Sequence, residues 1–345
     1  MNFSKRKNSF STLAAGLSAI VLAIAVFAGL TRSTAHASGA GLVVEVPFEI
    51  KTLKTPGLVA PYFLQDDHGT MVVSDQAGGV YSVTLGGKVT PLADKKKIKH
   101  PAGVAIGPAG FGSYQGNVFV LSAADPKAAC EVDRIDKSGA VSPFAKLPAD
   151  ATECRDMEFG AASTPFAGKL YAATSGNSTI YSIDGSGKAG VFATFTKPIA
   201  FELTTITFPP ASDSKASGMM LVGMHAKGGI ASKVGRISMV SADGKMNNDP
   251  YLVGFIRPSG FAWSPSSFGS YGDALMIADT GKFASENDNA RDGAIYRVEK
   301  GLARPFASGL MDPTDMKFID NKAVICDPAE KGKGEGAIVI ISSLL

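Results

Sequence analysis

Four carboxylates draw attention first: Glu153, Asp156, Glu202 and Asp315, with Arg155 set between the first two. Oxygen-bearing side chains of this kind, if gathered on one axis, are what a hard cation such as Ca²⁺ requires. Gly185, Gly187 and Gly190 in "IYSIDGSGKAGVFATF" (180–195) have the G-x-G-x-x-G spacing of a phosphate-binding loop. That loop needs a helix after it, and Val191-Phe192-Ala193-Thr194-Phe195 alternates like a strand instead. His68, His100 and His225 lack zinc-ligand spacing. No G-x-S-x-G elbow occurs in the chain.

The elements that would position these residues repeat. "VYSVTLGGKVTPLAD" (80–94), "VDRIDKSGAVSPFAKL" (132–147), "IYSIDGSGKAGVFATF" and "AIYRVEKGLARPFASGL" (294–310) share one plan: an alternating strand, a Gly-containing turn, and a second strand. "GRISMVSADGKMNNDPYLVGF" (235–255) is a longer version. The glycine triplet therefore occupies a hairpin turn, not a phosphate cradle. Two further strands precede each hairpin, and four strands recurring every 45–60 residues or so read as propeller blades. Six apolar second strands, from "GTMVVSD" (69–75) to "NKAVICDP" (321–328), predict six blades in an all-β chain. The last blade stops after "GAIVIISSLL", and "VVEVPFEI" (43–50) is expected to supply its outer strand and remove the exposed edges.

The N-terminus is read separately. Lys5, Arg6 and Lys7 precede an uncharged apolar run from Leu13 to Leu30, and Ala35-His36-Ala37 offers a signal-peptidase site. Residues 1–37 are thus read as an export signal and 38–345 as the propeller, an uncleaved membrane anchor being the alternative. Of the 34 Lys and Arg, four (Lys5, Arg6, Lys7 and Arg32) lie in that segment, which contains no acid; the remaining 30 face 31 Asp and Glu, a net of −1. A near-neutral mature chain gives no reason to expect nucleic acid as a partner. A monomer is expected.

The repeating units, above all "PSGFAWSPSSFGSYGDALMIADTG" with "GAIYRV", resemble the six-bladed propeller group that includes NHL-repeat, gluconolactonase (regucalcin)-like and soluble quinone-dependent sugar dehydrogenase proteins. The resemblance spans 43–345 as architecture and is strongest over 218–310. It implies that ligands bind where inner strands start and second strands end. On that face lie the expected metal ligands Glu153, Asp156, Glu202 and Asp315, and the expected ligand contacts Arg155, His225, Arg257 and Asp279. Turn stabilisation is the competing reading for the strand-ending aspartates. The acidic stretch 282–293 falls on the same face. Cys130 and Cys154 fall there in adjacent blades, so a disulfide between them is expected, with Cys326 left reduced in an apolar strand.

Three functions follow as expectations: an exported propeller binding a small molecule, sugar or metal ion; a Ca²⁺-dependent lactonase-like hydrolase; and a quinone-dependent sugar oxidoreductase. The resemblance also marks departures. The Gly-Glu-Gly-Pro-like start of lactonase propellers is replaced by "LVAPYFLQDDHG" (58–69), which has no Glu. His100-Pro101-Ala102-Gly103 matches poorly the His-x-Gly-Gly segment of the sugar dehydrogenases, whereas the stretch after His225 resembles theirs.

Overall fold

Second strands are the most apolar in the sequence because they are covered on both faces. In the computed structural model Val118–Ala123, Leu170–Thr174, Met220–Ala226 and Leu275–Asp279 are buried along their whole length. The structure describes residues 35–36 and 41–344, apart from 163, 197–200, 228–233, 282–290 and 329–335. Each second strand pairs antiparallel with an inner strand on one side and a third strand on the other. The inner strands are Pro61–Asp67, Val104–Ile106, Cys154–Phe159, Phe201–Thr207, Pro258–Trp263 and Asp315–Ile319. Each touches the next, and the sixth touches the first, so the sheets close into a six-bladed ring around an axis. The hydrophobic core lies between blades, as where Phe48, Phe268 and Phe306 meet.

Closure follows the expected route with an offset. Phe48–Leu53 is the outer strand of blade six, paired with Ala337–Ser343 from Phe48↔Ser343 to Leu53↔Ile338. Val43–Val44, expected in the same strand, instead extends blade five through Val43↔Ser308 and Val44↔Ala307. Pro47 has no N–H to continue a ladder, and the Phe48 amide turns back to Glu45 O at 3.0 Å. The N-terminal segment thereby stitches two blades rather than one. Ala35–His36 adds a further short pairing on Val43–Val44. The rest of residues 1–37, expected to be an export signal, lies outside the described residues. Among those described, no helix is long and apolar enough to cross a membrane.

Local chemistry explains the hairpins. Asp184 Oδ1 accepts from Ser186 N and Lys188 N at 2.9 and 3.1 Å. Asp136 makes the same turn in blade two. Gly187 closes the turn at φ 83°, where a Cβ would also lie 2.2 Å from Phe144 O. Outer-strand prolines sit beside bulges: Pro91, Pro143 and Pro305 face Tyr81, Asp133 and Tyr296, each at a register shift. A missing donor is harmless at an outer strand of this kind.

The expected disulfide is present. Cys130, at the start of the third strand of blade two (Cys130–Ile135), is bonded to Cys154 in blade three, 24 residues on. Cys326 is free and buried. Replacing both bridged cysteines by alanine is expected to lower the unfolding free energy by roughly 3 kcal/mol, since the loop is then unconstrained in the unfolded chain. Urea unfolding of parent and double variant measures this; coincident curves would contradict it.

Candidate functional site

Set side by side, the inner strands reveal an internal two-fold pattern. "PAGVAI" of blade two matches "PSGFAW" of blade five, and "RDMEF" of blade three matches "TDMKF" of blade six. Gly103 and Gly260 occupy matching places where a Cβ would come within 2.3 Å of Met157 N and 2.7 Å of Met316 N. Only glycine lets these inner strands approach so closely.

Asp156 and Asp315 also match, and both turn to the main chain of the following blade. Asp156 Oδ2 accepts from Ile206 N at 2.9 Å and Thr205 Oγ1 at 2.7 Å. Asp315 Oδ2 accepts from Leu64 N at 2.9 Å. One step further, Glu158 and Lys317 are equivalents of opposite charge. The blades carrying them face each other across the axis, and Lys317 Nζ donates to Glu158 Oε2 at 3.0 Å. Burial works against the Lys317 charge, but Glu158, Asp315 and Asp156 hold its pKa above the ordinary lysine value. Burial pushes the Asp315 carboxyl up to about 7, with Lys317 opposing and Asp156 adding to the rise. The channel is thus crossed by an ion pair below its mouth.

The mouth is built by a recurring slip in register. The inner strand's pairing shifts between Pro61 and Leu64, Cys154 and Met157, Leu203 and Thr205, and Pro258 and Gly260. Bulges re-aim side chains, and here the residues at the slip are Tyr62, Arg155, Thr204 and Ser259. With Thr314 of blade six they line a cavity of about 190 Å³, which Arg257 and Asp312 also enter. The cavity is small, polar and open to the face predicted to bind ligands.

Arg155 is the best anchored of these. Its Nε donates to Ser175 Oγ and its Nη1 to Tyr62 Oη, both at 3.0 Å. Burial opposes its charge, yet Tyr62, Glu202 and Glu153 hold its pKa above the ordinary arginine value. Glu202 Oε2 lies 3.9 Å from Arg155 Nη2 and 3.3 Å from His225 Nε2. Glu202 and His225 are direct register partners on adjacent strands, and the histidine is buried behind the carboxylate. Glu153 stands at the rim, half-exposed, 4.0 Å from Arg155. Arg257 is pulled below its ordinary pKa by burial and then by Arg155. Asp312 is pushed up by burial against the pull of both arginines.

Contact with His225 holds the Glu202 carboxyl down at about 2, against burial, and Arg155 and Arg257 add to the effect. An acid that ionises more readily folded than at its ordinary 4.5 favours the native state in its ionised form. That contribution is full above 4.5 and is lost as pH falls through about 2. Urea unfolding of the parent and Glu202→Gln is expected to show a gap at pH 6 that shrinks steadily below pH 4.5. A gap independent of pH down to 2 would contradict the assignment.

The expected residues therefore fall into two groups. Arg155, Glu202, His225 and Arg257 come together at the mouth, with Glu153 at its edge. Asp156 and Asp315 tie neighbouring blades together. Asp279 ties its own blade, accepting from Ile256 N at 2.9 Å and Arg257 N at 2.6 Å. Asp75 and Asp327 hold the approaches to Pro61 and Pro313 in the same way. Among the described residues no group of three or more His, Cys, Asp or Glu could hold a metal ion. Most of the acidic stretch 282–293 lies outside the described residues. Tyr62, Thr204, Ser259 and Thr314 were not singled out from the sequence. Tyr62, Ser259 and Thr314 each follow an inner-strand proline, Pro61, Pro258 and Pro313, and that repeat is the signal that finds them. Thr204 follows Leu203, as Arg155 follows Cys154, and the slip in pairing places these two.

No family model matches the chain, and no curated protein sequence matches it. Solved structures do. The apo-form soluble aldose sugar dehydrogenase from Escherichia coli matches at 13% identity and a TM-score of 0.58, over 86% of this chain and 99% of that one. A putative gluconolactonase matches at 10% and 0.57, over 87% and 94%. Virginiamycin B lyase from Staphylococcus aureus matches at 14% and 0.51, over 86% and 99%. The chain shares their fold. At these identities the likeness is one of architecture, and the bulged inner strands that build the mouth are described from this chain alone.

Proposed function

We propose that the protein binds a small, hydrophilic anion at the mouth of its channel, between Arg155 and Arg257. One observation carries this reading: two largely buried arginines from blades three and five enter one cavity of about 190 Å³. Arg155 lowers the pKa of Arg257, so the two cations repel each other there. Glu202 is engaged by His225, and burial disfavours the charge on Asp312. An entering anion relieves that repulsion, and guanidinium groups suit carboxylate or phosphate oxygens. Structural neighbours named for sugar oxidation and for a lactonase are compatible with a small polar ligand. We place the protein in an exported compartment; the Cys130–Cys154 disulfide supports this, because such bonds persist in oxidising surroundings.

A thermal-shift series with small carboxylates and inorganic phosphate at constant ionic strength tests the reading. At least one anion is expected to raise the Tm in a saturable way, with a gain approaching about 2.7 kcal/mol at a hundred times its Kd, and to lose that effect in Arg257→Ala. If no anion shifts the Tm, or the shift survives the substitution, the reading fails.

A further inference from the structure

We infer that the anion is a hydroxylated carboxylate, a small acid carrying several alcohol groups; this rests on the anion reading above and specifies its ligand. The reasoning comes from which donors and acceptors the cavity wall still offers. A hydroxyl has one proton to donate and two lone pairs. Four aliphatic hydroxyls line the cavity, those of Thr204, Ser259, Thr280 and Thr314. All four protons are already committed to main-chain carbonyls. Thr204 Oγ1 donates to Pro258 O, and Ser259 Oγ to Pro313 O. Thr280 Oγ1 donates to Pro313 O at 3.0 Å, and Thr314 Oγ1 to Tyr62 O at 2.5 Å. All four of these bonds cross to the next blade, so the hydroxyls cannot rotate toward a ligand without opening an inter-blade contact. Toward the cavity they can act only as acceptors.

Of the other lining groups, Gln76 can donate and accept and the Asp312 carboxyl has its charge disfavoured by burial, while the arginines and Tyr62 face the ligand as donors. Arg155 and Arg257 carry donors alone. The Tyr62 oxygen accepts from Arg155 Nη1 at 3.0 Å, which leaves its own proton for a ligand. A molecule that satisfies both parts must bring carboxylate oxygens for the arginines and tyrosine, and O–H donors for the four hydroxyls. A plain alkanoate would offer no donor to the lone pairs of these oxygens and would forgo those hydrogen bonds. A neutral polyol brings no negative charge to relieve the repulsion between Arg155 and Arg257. A volume of about 190 Å³ is below the ~300 Å³ at which drug-sized pockets begin, so the ligand is of monosaccharide size or smaller.

Isothermal titration of the full protein with D-gluconate, hexanoate and D-glucitol separates the possibilities. D-gluconate is expected to bind at least about 30-fold more tightly than either of the others, as two or three additional hydrogen bonds would give. Ser259→Ala is expected to weaken D-gluconate about five-fold and leave hexanoate unchanged; a merely structural loss would weaken both alike. Should that variant fail to fold, Thr204→Val gives the same comparison. Hexanoate binding as tightly as D-gluconate overturns the hydroxyl assignment while the anion reading stands. D-glucitol binding as tightly as D-gluconate overturns both, as does the absence of binding by all three.

Discussion

Replacing Lys317 by methionine is expected to lower the unfolding free energy by about 3–5 kcal/mol, the cost of leaving a buried charge without its partner. For a chain of this size that corresponds to a fall in Tm on the order of 10 °C. Glu158 would then sit in the channel with no cation opposite, its pKa already raised by burial. The double variant Glu158→Leu/Lys317→Met removes both charges and is expected to regain most of the loss, because an apolar pair of similar volume often replaces a buried ion pair without penalty. The matched "DMEF" and "DMKF" strands supply the geometry that makes this comparison clean. A single variant as stable as the parent would mean that the pair at 3.0 Å does not hold the channel together.

Substitution of Arg257 by alanine is expected to weaken binding of a small carboxylate by about 100-fold, as loss of one or two charge-assisted hydrogen bonds would give. Arg155 should behave differently. Its Nε and Nη1 are fixed by Ser175 and Tyr62, so Arg155→Lys keeps the charge and loses the fork that orients it. We expect about a ten-fold loss of affinity for that variant, together with a measurable fall in Tm. Equal affinities for parent and Arg257→Ala in calorimetry would remove Arg257 from the site.

Much of the architecture is legible in the residues, because period-two alternation and glycine turns are local signals. The hairpin turn at Gly187, the wholly apolar second strands and the ring closure all follow from them. The closing strand is displaced from 43–50 to 48–53 because Pro47 ends one ladder and Phe48 packs into the next interface against Phe268 and Tyr271. That packing depends on residues more than two hundred positions away. The site is legible in part for a related reason. Strand order in the repeat puts Arg155, Glu202, His225 and Arg257 at one end of the channel, and they meet there. Whether an acid points into the channel or to a neighbouring amide depends on a one-residue slip in pairing. Asp156 lies at that slip and turns to an amide, as Asp315 does in a strand whose pairing does not shift, and Tyr62, Thr204 and Ser259 are turned into the mouth at their slips. A slip leaves composition and spacing unaltered, so only the paired sheets reveal it.

The most direct measurement is a crystal structure of the protein grown with D-gluconate. Density for the carboxylate against Arg155 and Arg257, with alcohol groups donating to Thr204, Ser259 and Thr314, is the expected result. A ligand bound elsewhere while that cavity holds only water would contradict the assignment of the channel mouth.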